Sequence, residues 1–449
     1  MKVAKFGGSS LASAERIKSV CDIVAADKSR RIVVVSAPGK ASAADTKVTD
    51  LLIACAKKHL ETGSAKAEMK AVVDRYAALQ CGLGLSPDIL RRIEADLTAR
   101  LTEDTADPAR FIDTMKAAGE DNCAWLVAEA MRQRGIDAHY VHPGEAGMLL
   151  SSEFGDARVL EESYAKLGAL KDAPGITVFP GFFGVTLEGA VVTLPRGGSD
   201  ITGAVLAAAV KAELYENFTD VDSVFSADHR VVPDAKPIQV LTYDEMRELS
   251  YAGFGVFHDE AIVPAVEAGI PICIRNTHRP EAPGTMVVPK RDHEHCSVVG
   301  IASSDGFCSM LVKKYMMNRE LGFGRRLLEI LEDEGLSYEH TPSGIDNMSV
   351  ILSESELTSA VEKRVLARVS EELKAESDVE RGLALIMIVG EGMRYSVGVA
   401  ARATGALASA EVNIEMMNQG SSEISMMFGV KSEDKDKAVR ALYAAFFDA

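Results

Sequence analysis

The chain has no apolar run long enough to cross a bilayer as a helix; the nearest stretch, "GLALIMIVG", is strand-sized. Positive charge is in short supply. Lys and Arg number 49 against 66 Asp and Glu, a net charge of -17. That balance excludes a global positive field for nucleic acid or an anionic membrane, so an anionic substrate must find its positive charge locally. The cysteines, 7 in all, form no CxxC pair, which points to reduced thiols and a cytoplasmic protein. The opening "MKVAKFGG" lacks the apolar stretch of a signal peptide. There is no G-x-x-x-x-G-K-[ST] loop, and no GxGxxG follows a strand, so neither a P-loop nor a fused dinucleotide-dependent dehydrogenase is expected. His293, His295 and Cys296 are metal-ligating types without a fourth ligand nearby, and they read as linker; no metal site is expected.

What is present is an ordinary globular composition, 47% hydrophobic and 26% charged, in 449 residues. That length is too great for one core and suggests about two to four domains. Short apolar strands at 2–6, 31–36, 176–180, 190–193, 214–218 and 271–274 alternate with helices. They predict a three-layer α/β domain with a mainly parallel sheet over residues 1–290. Residues 50–135 read as almost wholly helical, with helix starts at "SPD" (86–88) and "DPA" (107–109). A Pro-, Gly- and charge-rich stretch at 281–296 marks a boundary. Beyond it a strand–helix–strand–strand unit occurs twice, with helix 320–334 and strands 336–340 and 346–352 in the first and helix 395–409 and strands 411–417 and 423–430 in the second. Two small α+β, ferredoxin-like modules are expected at 297–380 and 381–449, and they can be nested, a strand of one serving the other.

The chemistry sits in loops that follow strands. "KFGGSS" puts Lys5, Gly7, Gly8 and Ser9 between a strand and a helix, a geometry suited to phosphate. "VSAPGK" carries Ser36, Gly39 and Lys40, with Thr49 capping or entering the next helix. "PRGGSD" brings Arg196, Ser199 and Asp200 to the start of an Ala-rich helix. "NFTDVDSVFSADHR" places Thr219, Asp220, Phe225, Asp228 and Arg230 in a polar loop. Each loop alone has a structural reading, as a turn, an N-cap or a solvated segment. In a parallel sheet, however, such loops gather at the carboxyl ends of the strands, where ligands bind. Together they suggest a kinase built on glycine loops, since phosphoryl transfer needs positioning and charge neutralisation above all.

In order, "KFGGSS", "VVSAPG", "AGE" (118–120), "RGGSD" and "FTDVDSVFSADHR" resemble the motifs of the aspartate kinases, members of the amino acid kinase superfamily. The tail, "GVAARATGALASAEVNIEMMNQGSSEISMMFGV" above all, resembles that family's paired ACT domains, and the likeness runs from residue 2 to about 447. The resemblance implies phosphorylation of L-aspartate by ATP with Mg2+, giving 4-phospho-L-aspartate at the head of lysine, threonine and methionine biosynthesis. It implies catalytic roles for Lys5 and Asp200. Ser36, Thr49, Glu120, Arg196 and Ser199 would hold aspartate, Glu120 at the ammonium and Arg196 at the α-carboxylate. Lys5, Gly7, Gly8, Ser9, Thr219, Asp220, Phe225 and Arg230 would lie along the nucleotide. An inhibitory amino acid, lysine and/or threonine, would bind the ACT modules of a homodimer or larger oligomer near Met317, Gly322, Phe323, Thr341 and Ser343.

The sequence also departs from the family pattern. "TDVDSVFSADHR" lacks the prolines and glycine usual in the nucleotide loop, and Gly255 stands where many relatives carry a lysine that reaches the nucleotide. Two rivals follow: an amino-acid-sensing regulator with weak catalysis, favoured by Gly255, and a kinase of another acidic amino acid.

Overall fold

The computed structural model describes residues 1–253, 259–292, 297–420 and 422–448. Gly255, His293, His295 and Cys296 lie outside the described residues. Two compact units emerge. The first comprises Met1–Val224, Pro237–Tyr243 and Gly255–Arg291; the second comprises Phe225–Lys236, Asp244–Phe254 and Asp292–Ala449.

Through the first half the chain runs β1 (Lys2–Phe6), α1 (Ala14–Ala26), β2 (Arg30–Val35), α2 (Val48–Thr62), α3 (Lys66–Leu83), α4 (Pro87–Leu101), α5 (Pro108–Gln133), β3 (Ala138–Tyr140), α6 (Pro143–Ala146), α7 (Glu162–Leu167), β4 (Ile176–Pro180), β5 (Phe183–Val185) and β6 (Val191–Thr193). It continues through α8 (Gly198–Ala209), β7 (Leu214–Thr219), β8 (Val240–Thr242), α9 (Tyr243–Tyr251), α10 (Val263–Glu267), β9 (Ile272–Asn276) and β10 (Thr285–Val288). Among the described residues, the first unit holds an 8-stranded sheet ordered β3-β4-β2-β1-β7-β9-β10-β8. Its pairings are parallel except β9 with β10.

Strand periodicity assigns the two faces. Ala4, Phe6, Val33 and Val35 join one core with the inner sides of α1, α2, α3, α4 and α5. The alternate positions Val3, Ile32 and Val34 are fully buried, and α8 packs against β1, β2 and β7. Lys5 shares the parity of Val3, so it points to the α8 side, which decides the site. Both helix starts read from Ser-Pro and Asp-Pro hold: Ser86 caps α4 by accepting from the N–H of Asp88, and Asp107 caps α5 by accepting from those of Ala109 and Arg110. In the sheet, Glu216 is fully buried and held by Arg30 at 2.5 Å and Arg275 at 2.9 Å. These two guanidiniums hold its carboxyl below the usual range against the opposing effect of burial.

The second unit contains β11 (Gly300–Lys313), α11 (Phe323–Asp333), β12 (Asn347–Ser353), α12 (Ser359–Arg368), β13 (Glu376–Val389), α13 (Val399–Ser409), β14 (Met416–Asn418), β15 (Ser425–Lys431) and α14 (Lys435–Phe447). Its sheet is antiparallel, in the order β12-β11-β13-β15-β14. β11 and β13 pair along their whole lengths, and each is divided between two cores. Cys308, Met310 and Val312 pack with α11 and α12, whereas Ile301, Ala384, Ile386 and Ile388 pack with α13 and α14. A strand expected at 336–340 is reduced to a single bridge, His340 to Ile351. The strand expected at 411–417 shortens to β14.

Candidate active site

Four loops of the first unit close around one cleft of about 270 Å³. Lys5, Gly7 and Gly8 come from the end of β1, Ser36 from the end of β2, Thr49 from α2 and Glu120 from α5; Phe182, Arg196, Gly197, Gly198, Ser199 and Asp200 complete the wall.

Glycine lets the first two loops meet. The N–H of Gly39 donates to the carbonyl of Gly8 at 2.8 Å. A Cβ at Gly39 would lie 2.7 Å from the carbonyl carbon and oxygen of Gly8, and one at Gly8 would lie 2.9 Å from the carbonyl oxygen of Ala37. Contacts that close exclude any side chain, so the sequence pattern here is steric. Gly119 does the same for α5, since a Cβ there would meet that of Ala37 at 2.8 Å. This close approach carries the next residue, Glu120, under the second loop.

Glu120 is 5% exposed, and its Oε2 has no hydrogen-bond partner among the described residues. Burial pushes its carboxyl up to about 8, partly offset by the N–H of Ala37. A buried carboxylate oxygen without a donor is costly unless a cation arrives to meet it. At the opposite wall Gly197 adopts φ +85, a left-handed conformation open to glycine, and starts α8. Ser199 and Asp200 occupy the first turn, where the positive end of the helix favours negative charge. Asp200 Oδ1 is 2.5 Å from Lys5 Nζ. Arg196 is exposed at the mouth, and no carboxylate partner is found for it among the described residues.

The structure thus gathers Lys5, Gly7, Gly8, Ser36, Thr49, Glu120, Arg196, Ser199 and Asp200. Thr49 enters α2 as its second residue and does not cap it; the capping position is Lys47. Ser9 and Asp220 follow the carboxyl ends of β1 and β7, Thr219 is the last residue of β7, and all three lie outside the wall of the cleft. The Gly7 N–H donates to the carbonyl of Phe218 at 3.2 Å, which ties these two ends together. Phe225 and Arg230 group with the second unit: Phe225 packs on its core, and Arg230 is exposed and paired with Asp228 at 2.6 Å. In that unit Met317 and Phe323 are buried in the core under α11, Gly322 starts that helix at φ +76, and Ser343 lines a cavity of about 310 Å³ with Glu380 and Glu415. Thr341 is half-buried on the segment beside β12.

Two features of the site escape sequence reading, Phe182 in the wall and Asn217 outside it. Phe182 holds φ +74, unusual for a bulky residue, and donates its N–H to Thr202 Oγ1 at 3.0 Å. The stretch "PGFFG" offers no signal for it beyond its glycines. Asn217, in β7, donates to Asp200 Oδ1 at 2.6 Å. Its only signal is a polar residue inside an apolar strand.

Residues 1–276 match the model of the Amino acid kinase family, and residues 386–446 match that of the ACT domain. The chain is 56% identical to Aspartokinase 3 of Bacillus subtilis over 448 residues, covering 100% of this chain and 99% of that one. Among solved structures, aspartate kinase of Clostridium acetobutylicum is 34% identical with a TM-score of 0.90, covering 99% of this chain and 100% of that one. Aspartokinase III of E. coli, in complex with aspartate and ADP, is 28% identical with a TM-score of 0.78 and full coverage, 100% of each chain. The same E. coli enzyme in complex with lysine and aspartate is 27% identical with a TM-score of 0.80, covering 100% of this chain and 99% of that one. A cleft whose walls come from the motif loops, in a chain alike to these enzymes from end to end, leaves one assignment: the protein belongs to the amino acid kinase family and, within it, to the aspartate kinases.

Proposed function

We propose that this cleft holds L-aspartate against the γ-phosphate of ATP. The reaction is that of an aspartate kinase: ATP and L-aspartate give ADP and 4-phospho-L-aspartate, the first step toward lysine, threonine and methionine. A β-carboxylate oxygen attacks the γ-phosphorus. The bond from that phosphorus to the β,γ-bridging oxygen breaks, and ADP leaves with the electron pair. ATP enters as its Mg2+ complex, a substrate.

Both reactants are anions, so the site must offset Coulomb repulsion as they approach. Lys5 would stabilise charge on the transferring group, and Asp200 would orient Lys5. Glu120 would take the α-ammonium on its unpartnered Oε2. Arg196 would take the α-carboxylate with two parallel hydrogen bonds. Ser36, Thr49 and Ser199 add hydroxyls to the same wall. Gly7, Gly8, Ser9, Thr219 and Asp220 would lie along the nucleotide. The E. coli relative solved with aspartate and ADP supports this pairing of ligands. We read residues 1–290, less the two stretches that group with the second unit, as the catalytic domain, and 297–380 and 381–449 as two nested ACT modules. These would bind an inhibitory amino acid in a homodimer or larger oligomer, lysine being favoured by the relative solved with it.

The observation that carries this reading is the convergence of Lys5, Glu120, Arg196 and Asp200 from three distant segments on one cleft. Hydroxylamine trapping of the acyl phosphate, with aspartate and glutamate in parallel, tests it. Turnover of aspartate is expected, and Lys5→Ala lowers kcat by about 10²–10³, the scale of one lost transition-state donor. Unchanged kcat in that variant, or preference for glutamate, would overturn the reading.

A further inference from the structure

We propose that Asn217, two residues on from Tyr215 along β7, is a positioning residue that fixes the Asp200 carboxylate independently of Lys5. The inference rests on the active-site reading above.

The placement follows from sheet register. β1 and β7 are parallel neighbours, with Lys5 opposite Asn217. Residues opposite each other project to the same face, so Lys5 and Asn217 both point to α8. Asn217 is 4% exposed inside a sheet covered on both faces, where an amide is tolerated only with a partner. Its Nδ2 donates to Asp200 Oδ1 at 2.6 Å, the oxygen that also lies 2.5 Å from Lys5 Nζ. Two residues back on the same face, the Tyr215 hydroxyl donates to the Asp200 carbonyl at 3.2 Å. α8 presses on that ring so closely that a Cβ at Gly203 would lie 2.5 Å from the Tyr215 oxygen. β7 thus holds Asp200 twice, by its main chain and by its carboxylate.

The consequence concerns Lys5. An ammonium is a flexible point charge, and the γ-phosphate competes with Asp200 for it. If Lys5 alone held Asp200, each excursion of the ammonium toward phosphate would release the carboxylate to solvent or toward the incoming anion. With Asn217 on Oδ1, the carboxylate keeps its direction while Lys5 moves. The amide donates a hydrogen bond without adding a charge, so it does not compete for the phosphate.

The test uses the full chain, with variants Asn217→Leu and Asn217→Asp. Asn217→Leu removes the donor at similar volume. We expect kcat to fall about 10- to 100-fold, as for one lost hydrogen bond to a charged group. KM for aspartate should stay within about threefold, because Asn217 does not touch the substrate. Asn217→Asp is isosteric and keeps the proposal testable if the leucine variant fails to fold. Its new carboxyl shares a proton with Asp200, and one of the two then titrates at raised pH. While that proton is shared the hydrogen bond survives; once it is lost, two carboxylates repel. The kcat–pH profile of Asn217→Asp should therefore gain a falling limb on the basic side that wild type and Asn217→Leu lack. A purely structural asparagine would shift thermal stability and leave that profile in its wild-type shape. Asn217→Leu with wild-type kcat, or Asn217→Asp with a superimposable pH profile, would overturn the inference. Loss of the wider reading looks different: there, Lys5→Ala keeps its turnover.

Discussion

Glu120 makes a quantitative prediction, because its carboxyl is held at about 8 by burial and its Oε2 has no partner among the described residues. In the free protein near neutral pH most of it is protonated. An ammonium docking on that oxygen needs the carboxylate, so aspartate binding must expel a proton. The substrate's own ammonium stays protonated throughout this window. For a group titrating at about 8, the ionised fraction rises roughly 50-fold between about pH 6 and about pH 8, equivalent to roughly 2.3 kcal/mol. KM for aspartate should fall by that order over the same interval, and calorimetry in buffers of different ionisation enthalpy should count close to one proton released near pH 7. Glu120→Gln should give a KM that is flat with pH and higher than wild type near pH 8. The sign for stability is opposite. A carboxyl raised in the folded state contributes its full stability below its unfolded value, near 4.5, and that contribution is lost as pH rises toward about 8. Without ligand, then, wild type loses stability over that range by up to roughly 1.4 kcal/mol per pH unit, and Glu120→Gln loses less. No proton release with a pH-independent KM would refute the assignment of the ammonium to Glu120.

Two further outcomes are expected. Gly39→Ala drives a Cβ to 2.7 Å from the Gly8 backbone, so the first two loops must part, and turnover should fall at least about tenfold while the melting temperature moves by only a few degrees; wild-type kcat would contradict the close-approach account. Titration with lysine and threonine, singly and together, should lower turnover for at least one of them and raise the melting temperature through binding to the favoured state; an absence of response to either would remove the regulatory reading of the second unit.

Much of the catalytic wall was legible because its requirements are local. A glycine pair after a strand, a basic residue ahead of Gly-Gly-Ser-Asp, and an apolar strand preceding each loop are visible in single stretches, and parallel-sheet geometry predicts that they meet. Glu120 stood out only by resemblance. On α5 it is one polar residue among buried ones, and its raised carboxyl depends on Gly119 letting the helix reach Ala37. Asn217 and Phe182 could not be read because their roles come from partners remote in sequence, Asp200 for the first and Thr202 for the second. Phe225 and Arg230 show the opposite limit. Contiguous with Thr219 and Asp220 in sequence, they belong to a different unit, since the chain leaves the first core after Val224 and returns at Pro237. In the second unit the repeat was visible, but the point at which β11 passes from one core to the other was not, because neither "GIASSDG" nor "FCSMLVK" alternates apolar and polar residues in its sequence.

The central claim is that one cleft joins a small dicarboxylate to a nucleotide. A crystal structure of the chain with aspartate and ADP tests it most directly. The aspartate ammonium is expected on Glu120 Oε2, its α-carboxylate on Arg196, and its β-carboxylate turned toward Lys5 beside the terminal phosphate. Aspartate seated away from Glu120 and Arg196, or a nucleotide whose phosphates do not approach Lys5, would contradict it.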